Sequence, residues 1–164
     1  MEDRFGSCVV GRTVCREYSV CMVVVFDMDN TLVDAFGSMV RPGIVGLLGR
    51  LQKDGNTLVL WTNSRRDRAI EILQLHGLRR YFKACICRED YDPDEQDVPK
   101  DIRRIKGDIL VDDDPEAIAY VRSTGRKGFL IRPYRKGAAA DPKELADLHE
   151  AVRKAKGFFG GVFW

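Results

Sequence analysis

Val23-Val24-Val25-Phe26-Asp27-Met28-Asp29-Asn30-Thr31-Leu32 is an apolar run that ends in two carboxylates. The β-branched run has strand character, and the Asp and Asn residues behind it favour a turn. In an extended chain residues i and i+2 share a face, so Asp27 and Asp29 can converge on one point at the strand's end. Converging carboxylates repel unless a cation joins them or one holds a proton. A hard cation such as Mg²⁺ takes oxygen ligands of this kind. Taken alone, the stretch has a plainer reading too, a strand followed by an Asp-rich turn without chemistry.

Downstream of that strand, residues 33–41 read as a short loop or flap ending at Arg41-Pro42-Gly43. Ile44, Leu47, Leu48 and Leu51 recur at helical spacing, with Pro42 near the start and Gly55 past the end. Thr57-Leu58-Val59-Leu60-Trp61 is a continuous apolar run, as a central parallel strand covered on both faces requires. The pattern predicts a helix from about Arg65 to His76 closed by Gly77, then a strand from Phe82 to Cys87. The acidic segment Arg88–Asp97 leads to a short helix over Asp101–Ile105 and a strand at Asp108-Ile109-Leu110-Val111. A helix over Glu116–Ser123, a strand over Gly128–Arg132 and a last helix over Pro142–Lys156 complete the chain. Strands alternating with helices indicate an α/β fold, a parallel sheet with helices on both faces.

Size and charge set further bounds. A chain of 164 residues is expected to be one domain, or one domain with short tails, long enough to bury a core without disulfides. We expect residues 1–21 to form an arm or extension, residues 22–157 the domain, and residues 158–164 an apolar tail. A net charge of +2 does not by itself argue for nucleic acid or membrane as a partner. No stretch of about 18 apolar residues exists, so no membrane span is expected. The five cysteines, Cys8, Cys15, Cys21, Cys85 and Cys87, lack zinc spacing. Cys85 and Cys87, in a strand-like run, read as reduced structural thiols and not a redox pair, which favours a cytoplasmic setting.

In open parallel sheets ligands bind outside the carboxyl ends of the strands. The residues at those ends are Asp27 and Asp29, then Thr62-Asn63-Ser64, then Asp112-Asp113-Asp114, with Lys100 just before the helix that feeds the last strand. The Thr62 hydroxyl and neighbouring backbone N–H groups, Asn63 included, can hold phosphate oxygens at the start of a helix. Lys100 can neutralise charge on a nucleophile and a phosphate. Acid groups, a hydroxyl and a lysine together suit the handling of a phosphoryl group on a metal. Asp113 and Asp114 have a plainer reading as helix caps, and Lys100 as a solvated lysine.

In order and placement, Asp27-Met28-Asp29-Asn30-Thr31, Thr62, Lys100 and Val111-Asp112-Asp113 resemble the four motifs of the haloacid dehalogenase (HAD) superfamily of phosphatases. The resemblance covers nearly all of residues 22–135 and implies a HAD-like, Rossmann-type sheet. It implies that Asp27 is a nucleophile forming an aspartyl-phosphate, and that Asp29 protonates the leaving group and then activates water. Thr62 and Lys100 would bind phosphoryl oxygens. Mg²⁺ would sit on Asp27, the Asp29 main-chain carbonyl and Asp112, with Asp113 in support.

Neither interval between motifs leaves room for a cap domain. The site is therefore expected to be open, and the family pattern associates open sites with large substrates such as phosphoproteins or polynucleotide ends. Arg41-Pro42-Gly43 and Val98-Pro99-Lys100-Asp101-Ile102 resemble the phosphatases of the RNA polymerase carboxy-terminal domain, and the capless magnesium-dependent phosphatases are comparably near. Asn63, where the former carry a small residue, departs from that pattern. Arg65, Arg66, Arg68 and the stretch Arg132-Pro133-Tyr134-Arg135-Lys136 could rim the site and suit a nucleic-acid end, a less favoured reading that the acidic loop opposes if it shares the rim. The same residues would also serve a phosphatase of nucleotides or small molecules, or a catalytically silent phosphate-binding domain.

Overall fold

The computed structural model describes residues 21–159. Most of the proposed arm, and the tail beyond Phe159, lie outside the described residues. Five strands, β1 (Val23–Phe26), β2 (Thr57–Trp61), β3 (Ala84–Ile86), β4 (Ile109–Asp112) and β5 (Lys127–Leu130), form one parallel sheet in the order β3-β2-β1-β4-β5. The helices are α1 (Ile44–Lys53), α2 (Arg66–Leu75), the single turn α3 (Arg88–Tyr91), α4 (Pro115–Ser123) and α5 (Pro142–Phe159). Short 3₁₀ turns occupy Arg79–Tyr81 and Ile102–Ile105. The second replaces the helix expected there, because Lys106 turns left-handed and Gly107 closes back on Ile102 O at 2.7 Å.

Alternation along the strands divides the core in two. Val24, Phe26, Leu58, Leu60, Ile109 and Val111 face one side, where they meet Leu47, Leu48, Ile72, Leu73, Leu148 and Val152 of α1, α2 and α5. Val25, Trp61 and Leu110 face the other, against Tyr91, Ile102, Ile118 and Val121. Both faces of the three central strands are buried, which explains why these runs are apolar without interruption. Cys85 and Cys87 are free thiols that pack on the first cluster, consistent with a structural role.

Chain order reverses between β1 and β4: β1 leads through α1 to β2 on one side, and β4 leads through α4 to β5 on the other. That reversal is the switch point at which open α/β sheets bind ligands. Only a hairpin flap and α1 stand between β1 and β2, and only short elements between β2 and β4. Among the described residues no cap domain covers the strand ends.

The flap is tied down locally. Val33 bridges Val40, and the Asp34 carboxylate accepts hydrogen bonds from Ser38 N (2.6 Å), Ser38 Oγ (2.8 Å) and Met39 N (2.9 Å). Gly37 has φ 71°, and a Cβ there would lie 2.3 Å from Ile72 Cδ1 of α2. Glycine is the residue that permits both the turn and this approach.

Candidate active site

Asp27 continues β1, its N–H bonded to Val111 O at 2.9 Å, so β1 and β4 deliver their terminal aspartates side by side. Asp27 and Asp112 are both buried, and so is Lys100. The Lys100 ammonium donates to Asp27 Oδ1 at 2.7 Å and to Asp112 Oδ2 at 2.8 Å. Burial works against that ammonium, but the two carboxylates outweigh it and raise its pKa. Burial likewise pushes Asp27 up to about 7; Lys100 opposes the rise and Asp112 adds to it.

Asp113 follows at the mouth, half-buried, taking a 3.4 Å hydrogen bond from the Thr31 hydroxyl. Its pKa too is raised, by burial first and by Asp112 second. Carboxylate oxygens of Asp27, Asp112 and Asp113 lie within 4.8 Å of one another. When all three are ionised, three carboxylates facing one ammonium leave two negative charges unbalanced, the charge of one divalent cation. The donors are all hard oxygens, so the residues present fit Mg²⁺. Asp114 stands apart: its side chain caps α4 by accepting Glu116 N at 2.9 Å, and its own N–H donates to Asp112 Oδ1 at 2.9 Å.

Asp29 goes elsewhere. Its Oδ1 accepts from Arg68 Nη2 at 2.7 Å, and its Oδ2 from Arg68 Nη1 at 2.9 Å and Ser64 Oγ at 2.8 Å. The carboxylate therefore stands outside the cluster of Asp27, Asp112 and Asp113. The chain turns after Asp27, with Leu32 N–H closing on Met28 O at 2.9 Å and Asn30 at φ 58°. Asn is among the few residues that accept that left-handed conformation.

Thr62 is buried at the end of β2, its hydroxyl oxygen accepting Ser64 N–H at 3.1 Å. The hydroxyl hydrogen remains available to a ligand. Asn63 is drawn toward α3: its side-chain oxygen accepts from the Tyr91 hydroxyl, and its carbonyl from Arg88 Nε at 2.7 Å. A cleft of about 750 Å³ opens beside Asn63 and Lys100, between the 92–99 loop and the start of α4.

Three residues central to this geometry carry no local signal of their roles. Ser64 and Arg68 hold Asp29, although both lie in the stretch around Thr62. Arg41, buried, donates to Thr31 O (2.7 Å), Asn30 O (2.8 Å) and Arg132 O (2.5 Å) and pairs with Glu144 at 3.3 Å. It clamps the loop that carries Asp29. The basic rim differs from the sequence expectation as well. Tyr134 is buried beneath Arg41, 5.5 Å from ring centroid to guanidinium, and its N–H bonds Asn30 O at 2.6 Å. It is thus not a surface ring set between basic residues. Arg66 pairs with Asp90, and Arg132 with Asp141.

Comparison with known proteins agrees with this fold. A haloacid dehalogenase-like family hydrolase from Xanthomonas campestris superposes with a TM-score of 0.62 at 13% identity, over 87% of this chain and 99% of that one. A hydrolase from Streptococcus pneumoniae TIGR4 gives 0.59 at 11% identity, over 81% and 98%. Likeness at that identity shows the fold alone. In sequence, 71 residues are 34% identical to a phosphoglycolate phosphatase of Agrobacterium fabrum, covering 42% of this chain and 30% of that protein. The fold is that of the HAD superfamily. The family described as NLI interacting factor-like phosphatase matches residues 22–161, and this chain belongs to it.

Proposed function

We propose that the protein is a Mg²⁺-dependent phosphomonoester hydrolase working through phospho-Asp27, with a large, exposed phosphate of phosphoprotein type as its substrate. One observation carries the reading: a buried aspartate at the sheet's switch point, held by Lys100 and crowded by Asp112 and Asp113. Bound to those carboxylates, Mg²⁺ would supply charge neutralisation to the phosphoryl oxygens and to the aspartates. The chain's own groups do the rest. Asp27 attacks phosphorus in line, its oxygen–phosphorus bond forming as the ester bond breaks. Thr62 and Lys100 hold phosphoryl oxygens and offset their charge. Asp29 gives a proton to the departing alkoxide, then takes one from the water that hydrolyses the acyl-phosphate.

Substrate class rests on the open strand ends and on the charge of the adjoining cleft. Asp92, Glu95, Asp97, Asp114 and Glu116 line it against Arg88 and Lys100. Arg88 is already paired with Glu95 at 2.8 Å, and Lys100 with the catalytic aspartates. Such a wall repels a polyanion beyond the scissile phosphate, which counts against a nucleic-acid end. The partial likeness to phosphoglycolate phosphatase supports a second reading, a small phosphorylated acid, which the same wall disfavours.

Hydrolysis of p-nitrophenyl phosphate with and without Mg²⁺, wild type against Asp27→Asn, tests the chemistry. Turnover that needs Mg²⁺ and disappears in the variant is the expected result. Metal-independent turnover, or near-wild-type activity in Asp27→Asn, overturns it. Competition among phosphopeptides, phosphoglycolate and phosphate-terminated oligonucleotides then tests the class, and we expect phosphopeptides to win.

A further inference from the structure

From the way charge is divided between the two ends of the sheet, we infer that the amino end, opposite the candidate active site, docks on an anionic lipid membrane. In a parallel sheet every segment that leads into a strand lies at that end, and here those segments are basic. Segments 53–56, 76–83 and 104–108 lead into β2, β3 and β4, and they carry Lys53, Arg79, Arg80, Lys83, Arg104 and Lys106. All six are exposed, and among the described residues no carboxylate forms an ion pair with any of them. The same segments hold two carboxylates, Asp54 and Asp108, which are already engaged by His149 and Arg126. The carboxyl end carries the opposite sign in Asp27, Asp112, Asp113 and the acidic cleft. A net charge of +2 therefore conceals a molecule with two poles.

A hollow of about 250 Å³ opens between the segments before β2 and β3, with Arg80 and Lys83 in its wall beside Gln52 and Tyr81. It has room for a phosphate group, and its two cations suit one. Two features select a lipid surface over another polyanion. The cations are spread across the starts of β3, β2 and β4, about 14 Å at the usual strand spacing. They sit on short turns, and no described helix or ribbon projects there to enter a nucleic-acid groove. The second feature is apolar. Helix α5 reaches this end, where Lys156 Nζ donates to Asp54 O at 2.5 Å, and the sequence after it reads Gly160-Gly161-Val162-Phe163-Trp164. Tryptophan favours the membrane–water interface. An apolar insertion and a basic patch together attach a protein more firmly than either alone. No spanning helix is needed, and the candidate active site faces away from the bilayer, open to substrate.

The test is binding of the full chain to vesicles, read by co-sedimentation and by tryptophan emission. Trp61 is buried, so a blue shift on binding reports Trp164. Wild type is expected to bind phosphatidylcholine vesicles that contain phosphatidylserine, to shift its emission, and to detach as salt rises. Pure phosphatidylcholine should not hold it. Arg79→Ala/Arg80→Ala/Lys83→Ala should weaken binding about 10²-fold, about fivefold for each cation. Lys53→Ala/Lys106→Ala, on the other segments, should weaken it about 25-fold by the same measure. Phe163→Ser/Trp164→Ser should weaken it while leaving its salt dependence in place. Unchanged melting temperatures would show that the variants fold. Absence of binding by the wild type, equal binding to pure phosphatidylcholine, or full binding by both alanine variants would overturn the inference. So would tighter binding to a double-stranded oligonucleotide than to the anionic vesicles at the same salt. None of these readouts uses turnover, so the inference stands or falls separately from the proposed function.

Discussion

Burial strips water from the Asp27 carboxylate, and its pKa rises to about 7 although Lys100 stands 2.7 Å away. An unfolded aspartate titrates near about 3.9. Between these values the folded protein holds more protons than the unfolded one, so the metal-free protein loses stability as pH rises from about 4 to about 7. Two outcomes are expected. Asp27→Asn should abolish turnover yet raise the melting temperature of the metal-free protein at pH 8, by roughly 2–4 °C for each kcal/mol of relieved strain. Calorimetry without Mg²⁺ would show it, and an unchanged or lower melting temperature contradicts the charge argument. Mg²⁺ should also bind more tightly as pH rises through about 7, by up to about tenfold per unit below that value, since a ligand must lose its proton. Titration at pH 6 and pH 8 would measure this. In Asp112→Asn the Mg²⁺ requirement should weaken, because Asp112 is the most buried carboxylate of the cluster.

At the scale of elements, the flap and the loop after β1 hold Asp29, and each hangs on a few side chains. Gly37 meets Ile72 of α2, and its carbonyl meets His76 Nε2 at 2.8 Å. Gly37→Ala should cost about 1–2 kcal/mol for the left-handed backbone, plus whatever Ile72 must yield. Thermal unfolding should show that loss, and activity should fall more than the melting temperature suggests, because the flap carries Ala35, a contact of Arg68. A neutral Gly37→Ala would mean the flap has another seating. Arg41 has a comparable role for the loop: three main-chain carbonyls and Glu144 depend on it. Removing one member of a buried ion pair costs about 3–5 kcal/mol, so Arg41→Met should be among the most destabilising single changes outside the apolar core. Chemical denaturation would measure it, and a loss under about 1 kcal/mol would sink the clamp.

For the whole molecule, the reversal of strand order sets where the site forms, and the 92–99 loop and the start of α4 set its charge. Asp97→Lys with Glu116→Lys exchanges two exposed carboxylates of the cleft for cations and leaves Asp27, Lys100 and Asp112 untouched. If cleft charge governs access, the double variant should raise kcat/KM for phosphoglycolate and oligonucleotide phosphates several-fold and lower it for basic phosphopeptides. An unchanged ranking of substrates would place the leaving group elsewhere. No described helix is long and apolar enough to cross a membrane.

Local chemistry settles much of this protein. Val23–Phe26 and Ile109–Val111 read as buried strands, and the aspartates behind them gather at the carboxyl end of the sheet, because parallel strands point the same way. Lys100 is legible through its place before the strand it serves. The partnership of Asp29 with Arg68, the burial of Tyr134 under Arg41 and the anchoring of Asn63 by Tyr91 are not legible. These pairs are separated by 39, 93 and 28 positions, and no local pattern encodes which of several arginines or tyrosines comes close. Asp29 shows the division most clearly: two-residue spacing places it near Asp27, but the turn at Asn30 and the reach of α2 decide that it faces an arginine and not the metal site. Residue types and their order dictate which chemical groups meet at the switch point, since strand direction and burial follow from them. How each group is turned and restrained emerges only in the folded molecule, because orientation depends on packing between elements distant in the chain.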